Sequence, residues 1–409
     1  MFYNGLMFYR RVFQNRNLTY LWVGQVISQI GDSVYQIGLI WLTLELSGSE
    51  SITGLVAMSA YLPAVFLSIF SGVVSDRYDR RKIMISADLF RCVFILLIPL
   101  SFVVGMLNPI LLGINAFAIA IAATFFNPAR DSIIPTIVER KGLLRANSLI
   151  QTSWQFSLLI GPAIAGGLLH FVGNVHLFTV DSLAYLLSFL FVFLIRPSAP
   201  EIDIPRKRPG FSEVKEGLIY AVKHPVILPL LLITIADNIF IMGPAIVGTP
   251  VFVKQVLGLG AESYALIQAC YAIGMLIGTA GLLIFGKRFK KGRILLLGMF
   301  LDGITFVPLY FVDSLLTMEI TIIVHSLAIP MLTVVRASII QEIIPTKMTG
   351  RIFALVNLAV VGMSAVSSGL SGFLLEIVGA PTLFLLIGCG GAICGVLGWI
   401  FARDLREQP

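Results

Sequence analysis

Apolar residues fall along this chain in long runs separated by short polar breaks, and twelve runs have the roughly 20 residues needed to cross a bilayer core. They lie near 18–46, 52–75, 83–104, 108–127, 148–171, 175–196, 225–252, 263–286, 294–312, 317–336, 351–378 and 381–403. The pattern predicts an all-α membrane protein with twelve transmembrane helices. The longest break, 197–224, carries Pro197, Pro200, Pro205 and Pro209 among charged residues. It predicts a linker between an N-terminal bundle, 1–196, and a C-terminal bundle, 225–409. Inside it, Phe211, Val214 and Leu218 share one helical face opposite Glu213, Lys215 and Glu216. That spacing predicts a short amphipathic helix on the inner membrane surface.

The halves repeat. Gly166–Gly173 aligns with Gly372–Gly379, and Arg130–Ile134 with Arg336–Ile340, while Asp32 in the first helix falls opposite Asp237 in the seventh. Matches in order at nearly one offset predict a six-plus-six duplication about an axis along the membrane normal, with substrate held between the halves. Charge then orients the chain. Of the 29 lysines and arginines, all but Arg91 and Lys254 lie at or near the expected inner ends, which predicts cytoplasmic termini. The net charge of +7 is thereby sorted by loop and does not point to nucleic acid.

Composition agrees: 57% of residues are hydrophobic and 12% charged, half the charged share of a soluble domain, about a quarter. Cys92, Cys270, Cys389 and Cys394 lie in apolar runs without Cys/His clustering, which suggests neither a disulfide framework nor a metal site. The segment after Met1–Asn17 is too long for a signal-peptide core and reads as a retained first span. With no nucleotide loop, nucleophile–base pair or metal cluster visible, no cofactor and no enzyme activity are expected.

The most charged short break, Gly72 to Lys82, has Gly72, Asp76, Arg77, Arg80 and Arg81 at the spacing G-x-x-x-D-R-x-G-R-[RK]. This resembles the loop between helices two and three of the major facilitator superfamily, with Asp79 where that family has glycine. Gly161-Pro162-Ala163-Ile164-Ala165-Gly166-Gly167 resembles the fifth-helix motif of its drug and metabolite antiporters. There Pro162 loosens the helical ladder, and Gly161, Gly166 and Gly167 are expected to admit a neighbouring helix. Asn15-Arg16-Asn17 with Leu21–Gln25 and Ser28–Ser33, then Asn127-Pro128-Ala129 with Pro135, and Ala146-Asn147-Ser148, resemble the branch containing macrolide efflux proteins and enterobactin exporters. The resemblance covers about 15–403 and implies two pseudo-symmetric six-helix bundles, with helices one, four, seven and ten around a central cavity. Leu111–Phe126 lacks the arginine that many proton-coupled relatives carry in the fourth helix.

Ionisable side chains within spans are costly and need a functional or pairing reason. Here they are Asp32, Asp88, Arg91, Asp181, Asp237, Asp302 and His325. Resemblance favours Asp32, Asp237 and His325 as proton or substrate residues, with Gln36 beside Asp32. Each also has a structural reading: Asp32 and Asp237 tying helices together, His325 donating one hydrogen bond in packing. Asp88 and Arg91, three apart, predict a local ion pair. Asp181 and Asp302 fall on helices peripheral in the family and read as structural. In the loop, Asp76 is expected to meet the inner start of the eleventh helix near Gly350, with Arg77 and Arg80 pairing with acids, as a conformational latch. Arg81 and Lys82 are sufficiently explained by topology.

The resulting reading is a monomeric secondary transporter of the cell membrane, embedded in the lipid bilayer and exporting an amphipathic small molecule by alternating access against inward proton flow. Two alternatives stay open. One is a lipid or lysophospholipid flippase of the same fold, marked by a lateral opening between helices five and eight or two and eleven. The other is a non-transporting membrane sensor or scaffold.

Overall fold

The computed structural model describes residues 15–139, 142–196 and 211–409. Arg10, Arg11, Arg140, Lys141, Arg206, Lys207, Arg208 and the four linker prolines lie outside them. Among the described residues, eleven helices are long and apolar enough to cross a membrane. The helix Arg16–Ser47, read from sequence as the first span, is the longest but one of the described helices at 32 residues. Gln25, Ser28, Gln29, Asp32, Ser33 and Gln36 interrupt its apolar run.

Proline positions explain the breaks. The second span divides into Glu50–Ser59 and Leu62–Arg77 just before Pro63, and the tenth into Leu315–Ser326 and Ile329–Ile343 just before Pro330. The fourth, Pro109–Ile137, outruns its apolar stretch and carries Pro128 and Pro135 inside the helix, so the expected loop at Asn127–Ala129 is helical. The seventh is α-helical over Ile227–Asp237 and then becomes π-helical at Asn238–Met242, Pro244–Gly248 and Phe252–Val256. At the first of these a side chain enters the ladder: the Ser367 hydroxyl accepts from Gly243 N at 2.9 Å and donates to Ile239 O at 2.6 Å, standing in for the helical bond between them.

The chain forms two compact units. One holds residues up to Leu42 with those from Pro63 to the linker; the other holds Thr43–Leu62 with the chain after the linker. The first has an aliphatic core around Leu21, Met84, Phe126, Ile134 and Val192, and the second one around Ile227, Leu230, Leu295, Met299 and Ile340. Glu50–Ser59 belongs to the second unit because it packs on the eleventh span, Thr346–Val378. There a Cβ at Gly54 would sit 2.9 Å from Gly372 Cα, and Glu376 accepts from Ser49 Oγ at 2.6 Å. These parts of the second and eleventh spans are closed on each other. The repeat is visible in the backbone: Gly173 and Gly379 both end their helices at positive φ, 77° and 73°.

In the second unit, acids hold the basic stretch before the ninth span. Lys291 pairs with Glu342 at 2.7 Å, while Lys290 and Arg293 reach Glu407 at 2.5 and 3.1 Å. The two cations push the Glu407 carboxyl down from 4.5 to about 2. A carboxyl depressed in the folded state stabilises it above pH 4.5, and that contribution is lost as pH falls through 2. Glu407→Gln should therefore melt slightly lower than the parent at pH 7, with the gap closing on acidification. In the linker, the Phe211–Lys223 helix exposes Leu218, Ile219 and Val222 and is tied by Glu216 to Arg351 at 2.9 Å. The side chains of Phe211 and Val214 lie outside the described residues.

Candidate functional site

A seven-residue glycine spacing on the first span builds the site of the first unit. Cβ atoms at Gly24, Gly31 and Gly38 would crowd Phe191 and Ser188, then Asp181 and Ala184, then Leu177 and Phe178, all on the sixth span, His176–Leu194. The two helices therefore approach closely along this stripe. On the other side, a Cβ at Gly161 of the fifth span would fall 2.2 Å from Ser33 Cβ, and Ser33 Oγ donates to Ser157 O at 3.2 Å. Gly167 meets nothing within 4 Å among the described residues, so the expected close approach in that motif is made at Gly161. Helix Leu143–Val172 continues through Pro162. Gly161→Val should force the fifth span from the first at a cost of about 1–3 kcal/mol, read as a lower melting temperature in detergent.

Between these helices a polar chain runs through the first unit. Half-buried Asp32 accepts a hydrogen bond from the Tyr185 hydroxyl. Tyr185 Oη accepts from Arg91 Nη1 at 2.9 Å, and the guanidinium lies 4.5 and 4.7 Å from the ring centroids of Phe126 and Tyr185. Arg91 Nη2 stands 3.7 Å from Asp88 Oδ1, the ion pair expected from their spacing, and Asp88 Oδ2 accepts from Ser188 Oγ at 2.7 Å. Asp88 and Asp181 are 0% exposed and Arg91 4%, so charge must balance within the protein. One guanidinium faces three carboxyls. Asp181, read from sequence as peripheral, has both carboxyl oxygens without hydrogen-bond partners beside Gly31. The glycine spacing was the available signal for this pairing of helices. Gln36 is exposed.

In the second unit, half-buried Asp237 ends the α-helical part of its span, where the π turns begin. Its Oδ2 accepts from Asn238 Nδ2 at 3.3 Å, and the Asp302 carboxyl of the ninth span and the Arg336 guanidinium lie near it. His325 is completely buried, stacked on Phe306 at 3.8 Å, with Nε2 3.7 Å from Asp302 Oδ1. Asp302, also read as peripheral, thus lies near both residues that sequence had favoured. Repeat-related arginines make matched bridges: Arg130 Nη1 reaches Gln25 Oε1 at 3.2 Å, and Arg336 Nη1 reaches Thr234 Oγ1 at 3.3 Å.

The charged loop of the first unit departs from expectation in detail. Asp79 is extended, with φ −60° and ψ 113°, and its carboxylate caps the third span by accepting from Arg81 N and Lys82 N. A capping residue therefore does the turn's work where the family has glycine. Arg80 donates to the Ser132 carbonyl at 3.1 Å. Arg81 is more than a topological charge: it donates to the Val192 and Phe193 carbonyls in the last turn of the sixth span and stands over the Phe193 ring. Gly72 lies open, while Asp76 and Arg77 are exposed.

Two helical units with carboxyls and arginines inside their apolar spans define a polytopic membrane protein. The model of the transmembrane secretion effector family matches residues 11–407, and the chain belongs to that family, within the major facilitator superfamily. It is similar to macrolide efflux protein A of Streptococcus pyogenes, 24% identical over 94% of this chain and 97% of that one. It is also similar to multidrug efflux pump Tap of Mycolicibacterium fortuitum, 21% identical over 92% and 93%. Among solved structures, a bacterial homolog of the human lysosomal transporter Spinster, inward-facing and unoccupied, shares the fold at TM-score 0.73 and 15% identity over 96% and 98%.

Proposed function

We propose that the protein exports an amphipathic small molecule by alternating access, driven by protons entering through Asp32. The observation that carries this reading is the buried chain Asp32–Tyr185–Arg91–Asp88. Asp32 stands at its more exposed end, so the charge felt by Arg91 changes whenever Asp32 gains or loses a proton. Such a change is linked to helix packing because Tyr185 and Asp32 lie on different spans. The macrolide and multidrug relatives support export, and phenylalanine-rich spans with few charges suit a bulky apolar or weakly cationic cargo better than a sugar or phosphate.

In this reading the halves 1–196 and 225–409 rock as matched bundles in the cell membrane, as a monomer with both termini cytoplasmic. Gln36, Asp237 and His325 serve cargo or proton handling. Asp76 meets the start of the eleventh span near Gly350, and the loop from Gly72 to Arg81 biases inward-closed against inward-open states.

Everted vesicles test the reading. An imposed proton gradient should drive accumulation of at least one compound in a panel of macrolides, cationic dyes and siderophores. Movement of labelled lysophospholipid alone would turn the reading toward a lipid flippase, and no movement of any kind would overturn it in favour of a sensor or scaffold.

A further inference from the structure

A groove runs from the charged loop of the first unit down between its second, third and fourth spans. Lys82, Ser86 and Phe90 follow one another at four-residue steps on one face of the third span, Arg80–Val103, and Ile121 and Phe125 do the same on the fourth. Buried Ala87 and Ala122 are too short to fill the space between these faces, which leaves a cavity of about 600 Å³. Ligand sites span about 300–1,000 Å³, so the volume suits a small molecule or part of a larger one.

Its polarity changes along its length. At the loop end the exposed side chains of Arg77 and Lys82 make no hydrogen bond or ion pair among the described residues. Arg80 and Arg81, by contrast, hold backbone carbonyls, and the lining carboxylate of Asp79 is taken by the N–H groups of Arg81 and Lys82. Two uncommitted cations therefore stand against one committed anion. Beyond Lys82 the lining is hydrocarbon apart from Ser86, and Phe90 lies about two turns, or about 12 Å, further along the span. Phe90 also opens the groove sideways: it is 37% exposed and begins a stripe of exposed apolar residues, Val93, Leu97 and Leu100, at the spacing of a helix face turned to acyl chains.

We propose that this groove binds an acidic phospholipid, with its phosphate between Arg77 and Lys82 and one acyl chain along Phe90, Ile121 and Phe125. A soluble anion would leave the apolar walls uncovered, and a zwitterionic lipid would bring a further cation to two basic side chains. An acidic lipid matches both ends. Tyr78, 66% exposed at the loop end, stands where aromatic side chains meet headgroups. The site belongs to the first unit alone, and it holds whether or not cargo is exported.

Native mass spectrometry of the purified, delipidated full chain, titrated with phosphatidylglycerol or chain-matched phosphatidylcholine, tests the proposal. Phosphatidylglycerol should bind more tightly. Arg77→Gln and Lys82→Gln should each weaken it by about fivefold and leave phosphatidylcholine little changed. Ser86→Trp, which fills the groove, should weaken both lipids. Equal affinity of the parent for the two lipids, or a folded double variant at Arg77 and Lys82 with parental affinity for phosphatidylglycerol, overturns the proposal. Inorganic phosphate competing as well as the lipid would mean a free-anion site and also overturn it. A further measurement needs no variant: phosphatidylglycerol with a photoreactive group in one acyl chain should label the third and fourth spans around Phe90 and Phe125, and unlabelled phosphatidylglycerol should compete. Labelling confined to other spans overturns the proposal, as does competition by an anionic dye but not by unlabelled lipid, which would assign the groove to cargo.

Discussion

Asp32→Asn should reduce proton-driven accumulation in everted vesicles to the level of vesicles without a gradient, while counterflow of cargo down its own gradient persists. Asparagine keeps the size of the side chain and can still accept from the Tyr185 hydroxyl, so the first span should stay packed against the sixth. What it cannot do is change charge. Arg91 would then face a permanently neutral neighbour, and the cycle would lose the step at which proton occupancy is converted into a change of attraction between helices. Tyr185→Phe should give a milder form, since Asp32 can still titrate but its link to Arg91 is cut. Unimpaired accumulation in Asp32→Asn would remove Asp32 from the coupling route, whatever the cargo.

The largest stability effect is expected at Arg91. Arg91→Met leaves Asp88 completely buried with Ser188 as its recorded hydrogen-bond donor, and breaking one side of such a pair costs about 3–5 kcal/mol. A marked fall in detergent melting temperature and in yield should follow. Adding Asp88→Asn to Arg91→Met should recover most of the loss, because it removes the stranded charge and not because it restores an interaction. Similar melting temperatures for single and double variants would show that Asp88 does not depend on Arg91 for charge balance. The double variant also separates stability from coupling: Tyr185 can still donate to Asp32, yet the guanidinium that responds to Asp32 is gone.

Residue patterns of different range explain what could be read early. The spans, the linker and the repeat rest on runs of apolar residues and on matched segments such as Gly166–Gly173 and Gly372–Gly379, which are local in the chain. Asp88 with Arg91 was equally local, since a three-residue spacing fixes a shared helical face. Asp181 and Asp302 could not be ranked from the chain alone because their neighbours lie on other helices. Only the approach permitted by Gly24, Gly31 and Gly38 brings the sixth span against the first, and only packing brings Asp302 against His325. The π-helical seventh span was hidden for the same reason: its first π turn involves Ser367, a residue of the eleventh span.

By itself, then, the sequence determined that this is a twice-repeated membrane bundle with acids placed inside its spans, because a bilayer imposes length and polarity on each segment separately. Tertiary structure decided which acids face which bases, that Arg80 and Arg81 hold backbone carbonyls, and that Asp302 lies against His325. Those facts depend on side chains brought within a few ångströms from distant parts of the chain, and inside a low-dielectric protein such distances govern where charge and protons can reside.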